Sequence, residues 1–491
     1  MLRVLGTETE FGIIARSSRY PDPVNNSLRL ISHCPRLPAP QALWDYENEN
    51  PFLDARGFKV EGEPERPGAS YNRQLNKILP NAGRLYVDGA HPEYSTPECS
   101  NPREVVAYER AGDALVAECL AALNAKQGEE EFLVYRNNSD GKGNSFGYHE
   151  NYLVSRKIPF EHIAAVCLPF FVTRPIFCGA GKVGAENGTD PTTYQISQRA
   201  DFLECLFDLN TMIHRPIINT RDEPHTQLSH SRRLHVIVGD ANMCEVSTFL
   251  KIGTTAIIID MLEHQGNLPR IELADPVMAV KQVSRDLTIT CSLALRNGQH
   301  TTALAIQQSF LQAAHSFYRT RELSPITKEV LIRWKSVLNQ LEQDPATLER
   351  EIDWVAKHKL ITSYMDRKRC SWQDSRVAMV DLQYHDVRPA KGLYYTLERT
   401  GKIERLTHEE EIQRAGHTAP AHTRAFFRGA CLQRFPQQIY GMSWTSVLLE
   451  SADHTITRIP LMDPYRGTQS LTQELLQDID SVDQLLSRLA L

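Results

Sequence analysis

The chain has 491 residues, of which 41% are hydrophobic and 23% charged, an ordinary globular composition that excludes a disordered or fibrous protein and leaves room for about three domains. A formal net charge of -6 and a pI near 6.3 give no overall basic surface, so neither nucleic acid nor an anionic membrane is an expected partner. Ten cysteines without a CxxC pair, a start (MLRVLG) without a leader pattern and a most apolar helix-like run, 254–262, too short for a bilayer give the expectation of a soluble, reduced, cytoplasmic protein.

Residues 2–14, LRVLGTETEFGII, read as a strand with Glu8 and Glu10 on one face and Thr7, Thr9 and Phe11 on the other. Neighbouring carboxylates repel and raise one another's pKa, so a dication beside them is the natural compensation, and hard oxygen ligands suit Mg²⁺ shared with nucleotide phosphates. The segment 32–80 is rich in Pro, Asn, Asp, Glu and Gly and reads as a long loop. Within it, WDYENENPFLDARGF (44–58) offers Trp44, Tyr46, Phe52 and Phe58 as anchors, as a partly ordered lid would.

RLYVDGAHPEYSTPE (84–98) is the most informative stretch. A short strand there puts Arg84, Tyr86 and Asp88 on one face and turns Leu85 and Val87 to the core. Gly89, His91, Pro92 and Glu93 then read as a turn that brings a further carboxylate to the first group. Residues 102–125 form an amphipathic helix whose stripe is Val105, Val106, Leu115, Cys119, Leu120 and Leu123. RNNSDGKGNSFGYHENYL (136–153) reads equally as a hairpin turn and as a loop that places His149, Glu150 and Asn151 for phosphate or metal.

Apolar strand patterns occur at 132–135, 172–177, 215–219 and 234–238, with helical stretches near 198–213 and 247–264. CGAGKVG (178–184) fits GxGxxG, but AENGTDPTTY follows where a helix is required, so a tight polar loop is expected there. Arg233 and His235 share a strand face opposite Leu234, Val236 and Val238. Arg199, Arg215, Arg221, Arg232 and Arg233 include possible donors to phosphate or a substrate carboxylate, the alternative being surface salt bridges. Residues 276–365 are almost wholly helical in pattern, and 424–491 carries its own strands, SWTSVLLE and HTITRIPLM, with a terminal amphipathic helix. The irregular alternation favours an α+β architecture on a mostly antiparallel sheet over a doubly wound fold.

GTETEFGI, RLYVDGAHPEYSTPE, DGKGNSFGYHENYL, SQRADF, RPIINTRDEPH and RRLHVIVGDAN followed by KIGTTAIIIDMLE together resemble the Pup ligase and depupylase family over nearly the whole chain. The resemblance implies a glutamine synthetase-like (carboxylate-amine ligase) fold: a large catalytic domain, 1–423, with a curved, mostly antiparallel sheet backed by helices and an inserted loop at about 32–80, and a small C-terminal domain, 424–491. It implies Mg²⁺ positions at Glu8, Tyr86 and Glu93, with Glu10 and His149 as further metal candidates. Nucleotide contacts would be Arg84, Thr96 and Trp444, with His235 as a further candidate, and Asp88 would be the catalytic carboxylate. Arg199, Arg221 and Arg233 would hold the acidic end of Pup.

The 44–58 segment and the spacing from Asp88 to His91 look like the depupylase branch. Its implied reaction is hydrolysis of the isopeptide bond between the C-terminal Glu of Pup and a substrate lysine, together with deamidation of Pup ending in Gln. ATP, or ADP plus phosphate, and Mg²⁺ are the implied cofactors, and Pup and pupylated proteins the implied partners. Two positions depart from the family pattern: Gly89 stands where His is usual and Thr445 where Asp is usual. The alternatives are an ATP-consuming Pup ligase, a small-molecule carboxylate-amine ligase and a catalytically impaired Pup-binding or nucleotide-binding regulator.

Overall fold

Leu5, Thr7 and Thr9 turn into the core from the strand Leu5–Glu10, while Glu8 and Glu10 stand on its other face, as the two-residue alternation requires. In this computed structural model, which describes residues 3–16, 22–35, 37, 41–62, 66–127, 131–211 and 214–490, that strand lies inside a six-stranded sheet. The strand order across the sheet is Ser231–Val236, Tyr148–Ser155, Leu5–Glu10, His91–Ser95, Arg84–Asp88 and Asn76–Ile78. Every neighbouring pair is antiparallel. The α+β reading on an antiparallel sheet is therefore the observed one.

One face of this sheet is dry. Leu5, Leu85, Tyr152, Val154, Leu234 and Val236 point down from it, and the helices Pro102–Gln127 and Glu245–Glu263 pack beneath. The stripe expected on the first helix is the buried one: Val105, Val106, Leu115, Cys119, Leu120 and Leu123 are each at most 5% exposed. The second helix is buried almost all round, so its surroundings, rather than an amphipathic pattern, hold it. Further helices, Ala303–Tyr318, Pro325–Gln343 and Asp353–Lys368, extend the layer, as expected, although the hairpin Leu293–Ala294 with His300–Thr301 interrupts it.

Several expectations are corrected. The pattern at 172–177 is helix: Phe160–Thr173 runs into Pro175–Cys178, and residues buried on every side mimic a buried strand. The stretch expected as a helix near 198–213 holds a short 3₁₀ turn, Ala200–Phe202, and the strand Cys205–Asp208, which pairs in parallel with Pro216–Asn219. That partner lies outside any local window. The first strand ends at Glu10, and Gly12–Ala15 joins Phe132–Tyr135 in a separate sheet. Within 32–80, the helix Ala69–Leu75 and the strand Asn76–Ile78 replace the expected continuous loop, and Phe58 is 49% exposed and no anchor. Residues 36, 38–40 and 63–65 of that loop, 212 and 213 of the expected helix, and residue 2 of the expected first strand lie outside the described residues.

A second hydrophobic cluster forms under a four-stranded sheet, Ile456–Pro460, Ser446–Glu450, Ile439–Met442 and Leu43–Trp44, and includes Phe427, Leu449, Leu485 and Trp44. The strand Leu43–Trp44 enters it in parallel with Ile439–Met442, so the segment before the Arg84–Asp88 strand is built into the C-terminal sheet. Among the described residues no helix is long and apolar enough to cross a membrane, and the ten cysteines form no disulfide.

Candidate active site

Cross-strand register assembles the site on the upper face of the six-stranded sheet. Directly paired residues of antiparallel strands lie side by side on one face. Glu8 is paired with Ser95 on one side and His149 on the other, and Ser95 with Arg84. In the next row Glu10 is paired with Glu93, and Glu93 with Tyr86. Asn151 is paired with His235, and Arg233 follows two residues before His235 on the same face.

Asp88 ends its strand, and Gly89 takes a φ of 53° in the tight turn to His91, a conformation that costs glycine little. A histidine there would sit in the left-handed region, which gives the departure from the family pattern a local backbone reason. His91, Pro92 and Glu93, expected in a turn, are the first residues of a strand. The loop before Tyr148–Ser155 closes as a small hairpin turn, with Ser139 and Ser145 bridged antiparallel, and Asp140 folds its tip by accepting from the backbone N–H groups of Lys142 and Asn144. It leads into Gly147, where a Cβ would collide with His149 Nε2 and Glu10 Oε1. Beyond it, His149 and Asn151 face the site, and Glu150 faces the opposite way, paired with Arg174 beneath the sheet.

Two groups of candidate ligand atoms result. One oxygen each of Glu10, Asp88 and Glu93 lie within 4.8 Å of one another, and so do single ligand atoms of Glu8, His149 and His235. At such distances two unit charges repel by about 3–4 kcal/mol at an effective dielectric of about 20, more than a single hydrogen bond offsets. Glu93 shows the consequence. It is 1% exposed, and neither of its carboxylate oxygens makes a well-formed hydrogen bond among the described residues, the neighbouring Tyr86 phenol being the weakest of the influences on it. Burial first, then the charges of Asp88, Glu8 and Glu10, push its carboxyl well above the ordinary range. Burial followed by Glu93, Glu8 and Asp88 does the same to the Tyr86 phenol.

Asp88 is open to solvent at the end of its strand, yet protein crowds it closely. This burial, with Glu10, raises its carboxyl against the opposing fields of His149 and Arg221. Glu8 goes the other way. Burial pushes it up, but the hydrogen bond with His149 Nδ1 (3.1 Å) and the charge of Arg233 work against burial, and its carboxyl stands well below the usual range. Glu10 is also lowered against burial, chiefly by His91, whose Nδ1 lies 3.4 Å from Glu10 Oε2. Burial and Arg233 keep His235 well below its ordinary value, hence neutral, the form that ligates metal. An orphaned buried carboxylate among like charges fits a hard dication: Glu93, Glu10, Asp88 and Glu8 offer oxygens, and His149 and His235 ring nitrogens.

Beside these groups a cleft open to solvent is lined by Gly6, Glu8, Thr96, Asn151, Arg233 and Trp444, among others. Its far wall includes Val4 and Leu153. Thr96 Oγ1 accepts from the Thr7 N–H at 2.9 Å, and Trp444 packs edge-on against Trp44 with ring centroids 5.1 Å apart. Arg84 does not line the cleft. Its guanidinium is stacked between Trp44 (4.0 Å) and Tyr86 (3.9 Å) and donates to Asn76 Oδ1 at 2.9 Å.

Of the three expected substrate arginines, Arg233 lies 3.6 Å from Glu8 and 3.4 Å from Glu223, and Arg221 is near enough to Asp88 for its field to act there. Arg199 is on the other flank, 2% exposed, donating to the Phe146 carbonyl at 2.8 Å. Burial and then Arg215 lower its pKa to about 10. Thr445 accepts from Asn48 Nδ2 at 3.1 Å, which ties the C-terminal sheet to the 44–58 segment.

The sequence reading offered Asn151 beside His149 for phosphate or metal, and its two-residue spacing from His149 does place it on the same face. Glu98, His225 and Arg424 also line the cleft, and no local pattern marks them.

The Pup-ligase protein family matches residues 3–448. A protein named depupylase from Acidothermus cellulolyticus is 42% identical over 499 residues, covering 100% of this chain and 99% of that protein. The crystal structure of the complex between the prokaryotic ubiquitin-like protein Pup and its ligase PafA superposes with a TM-score of 0.81 at 32% identity, over 97% of this chain and 92% of that one. PafA in complex with ADP gives a TM-score of 0.75 at 34% identity, over 86% and 96%. The antiparallel sheet with helices beneath and a carboxylate-lined upper face is thus the α+β, glutamine synthetase-like architecture. Within it, the chain belongs to the Pup ligase and depupylase family.

Proposed function

We propose that this chain is a depupylase: it hydrolyses the isopeptide bond between the C-terminal Glu of Pup and a substrate lysine, and deamidates Pup ending in Gln, with a magnesium-bound nucleotide (ATP, or ADP plus phosphate) in the cleft. The observation that carries the reading is the cluster of Glu10, Asp88 and Glu93 beside that cleft, on a chain 42% identical to a depupylase along its whole length and 38% identical to a Pup–protein ligase over 88% of it. The division into a catalytic unit, 1–423, and a C-terminal unit, 424–491, belongs to the same proposal. So does a cytoplasmic location.

Glu8, Tyr86 and Glu93, with Glu10 and His149, would hold Mg²⁺. Thr96 and Trp444 would receive the nucleotide on the cleft walls, Arg84 would act from behind through Trp44 and Tyr86, and His235 would face it from the strand Ser231–Val236. When bound, the cation would supply fixed positive charge where a tetrahedral oxyanion develops, and the phosphates would help hold it there. Asp88 is the carboxylate that starts the hydrolysis, its raised pKa making it the more basic of the open acids. Arg221 and Arg233 on one flank and Arg199 on the other would hold the carboxylates of the Pup terminus through charge-assisted hydrogen bonds. Hydrolysis is downhill, so the nucleotide is not consumed.

Incubation with a pupylated substrate, ATP and Mg²⁺, beside an Asp88→Asn control, tests the reading. Pup release from the unsubstituted protein alone, without ADP accumulating in step, is expected. Conjugate formation with one ADP per event would identify a ligase instead.

A further inference from the structure

One amide ties together the side chains that would surround the cation. Asn151 Nδ2 donates to Glu8 Oε1 at 3.0 Å, while Asn151 Oδ1 accepts from His235 Nδ1 at 2.8 Å and from Arg233 Nη1 at 3.2 Å. The orientation of this amide is forced by its neighbours. A guanidinium only donates and a carboxylate only accepts, so the turned-over amide would set donor against donor at Arg233 and acceptor against acceptor at Glu8.

With Oδ1 facing the imidazole, His235 Nδ1 must carry the ring hydrogen, and the lone pair is left on Nε2. His235 is 2% exposed, so water has little access to exchange places with the amide. The same logic holds at His149, whose Nδ1 faces the Glu8 carboxylate and so leaves Nε2 as the lone-pair nitrogen. Both rings are therefore preset for ligation by partners that are not their own strand neighbours in sequence.

We infer that Asn151 is a positioning residue: it sets the His235 tautomer and fixes Glu8 and Arg233, so that the Glu8, His149 and His235 group is arranged before any cation arrives. This rests on the proposed function and extends it, taking His235, whose ligand atom lies within 4.8 Å of those of Glu8 and His149, as a ligand of the cation as well as a neighbour of the nucleotide. Outer-shell partners of this kind are worth about 10–100-fold in metal affinity.

Two measurements test it separately. In metal-free protein labelled with ¹⁵N-histidine, two-bond ¹⁵N–¹H correlations report which ring nitrogen carries the hydrogen, with His235 assigned from the spectrum of His235→Gln. The Nδ1–H tautomer is expected in the unsubstituted protein and in Asn151→Asp, which keeps an acceptor for the ring. Asn151→Leu is expected to lose that tautomer and to bind Mn²⁺ alone about 10–100-fold more weakly, read from the electron paramagnetic resonance of free Mn²⁺. An Nε2–H tautomer in the unsubstituted protein overturns the inference even if the Leu variant does not fold, and so does an unchanged tautomer in a folded Asn151→Leu. A shifted tautomer with Mn²⁺ affinity unchanged overturns instead the reading of Glu8, His149 and His235 as ligands.

Discussion

Glu93 carries the sharpest electrostatic conflict in the site, being buried, without a well-formed hydrogen bond among the described residues and surrounded by Asp88, Glu8 and Glu10. Its folded pKa stands above the unfolded one, so the folded metal-free protein holds the proton more tightly. Stability therefore falls as pH rises from the ordinary carboxylate range toward the raised value. Glu93→Gln removes that loss. The variant is expected to melt about 2–4 °C higher than the metal-free parent at neutral pH and to gain nothing from Mg²⁺, as differential scanning fluorimetry would record. A retained Mg²⁺ shift would place the cation elsewhere. At Asp88 the expectation differs: Asp88→Asn slows Pup release by about 10²–10⁴-fold while a fluorescent nucleotide still binds within about twofold. The two-residue spacings of Glu8 with Glu10 and of Arg84, Tyr86 and Asp88 made one face of each strand legible in the sequence. Which residues stand beside them was not legible, because Glu10 meeting Glu93, or Asn151 meeting His235, depends on register between strands far apart in the chain.

At the scale of elements, the 44–58 segment is a strap. Asp45 is held by Arg458 and Ser446, Asn48 reaches Thr445, and Trp44 lies against Trp444, all in the C-terminal sheet. Its other end is pinned across the site: Asp54 accepts from Thr220 Oγ1 at 2.6 Å, and the Ala55 N–H donates to the Thr220 carbonyl at 2.7 Å. Burial raises the Asp54 carboxyl, but Arg56 and Thr220 outweigh it. Asp54→Ala forfeits contacts worth about 1–3 kcal/mol. Hydrogen exchange is expected to speed up about tenfold at 52–60 and 219–222, with the helix Ala425–Arg434 unaffected; uniform acceleration would mean that the strap is not a separate unit. Its aromatic anchors made this segment partly readable. Elements whose partners are remote misled: the buried helix ending at Thr173 mimics a strand, and the strand Cys205–Asp208 looks helical until Pro216–Asn219 pairs with it.

Across the whole molecule, Glu98, just past the strand His91–Ser95, is tied to Arg424 and Arg428 at the start of the helix Ala425–Arg434. Burial pulls its carboxyl up, and Arg428 with Arg424 overcomes burial and holds it down to about 2. The folded value lies below the unfolded one, so this stabilisation is complete above the ordinary carboxylate range and is lost as pH falls through about 2. Glu98→Gln leaves two buried guanidinium groups short of charge and is expected to cost about 3–5 kcal/mol in thermal or denaturant unfolding at neutral pH. The difference from the parent should shrink in acid; a constant difference would assign the loss to packing. The motifs spread from residue 6 to residue 263 carried the architecture in the sequence, whereas the parallel entry of Leu43–Trp44 into the C-terminal sheet had no local signature.

The central claim is that the upper-face carboxylates gather around a cation that holds a nucleotide. Crystals grown with Mn²⁺ and ATP, measured at the manganese absorption edge, test it most directly. Anomalous peaks within coordination distance of Glu8 and Glu93, with phosphate density continuing into the cleft past Thr96 and Trp444, are the expected result. Manganese bound away from both carboxylates, or a nucleotide seated outside that cleft, would contradict the account.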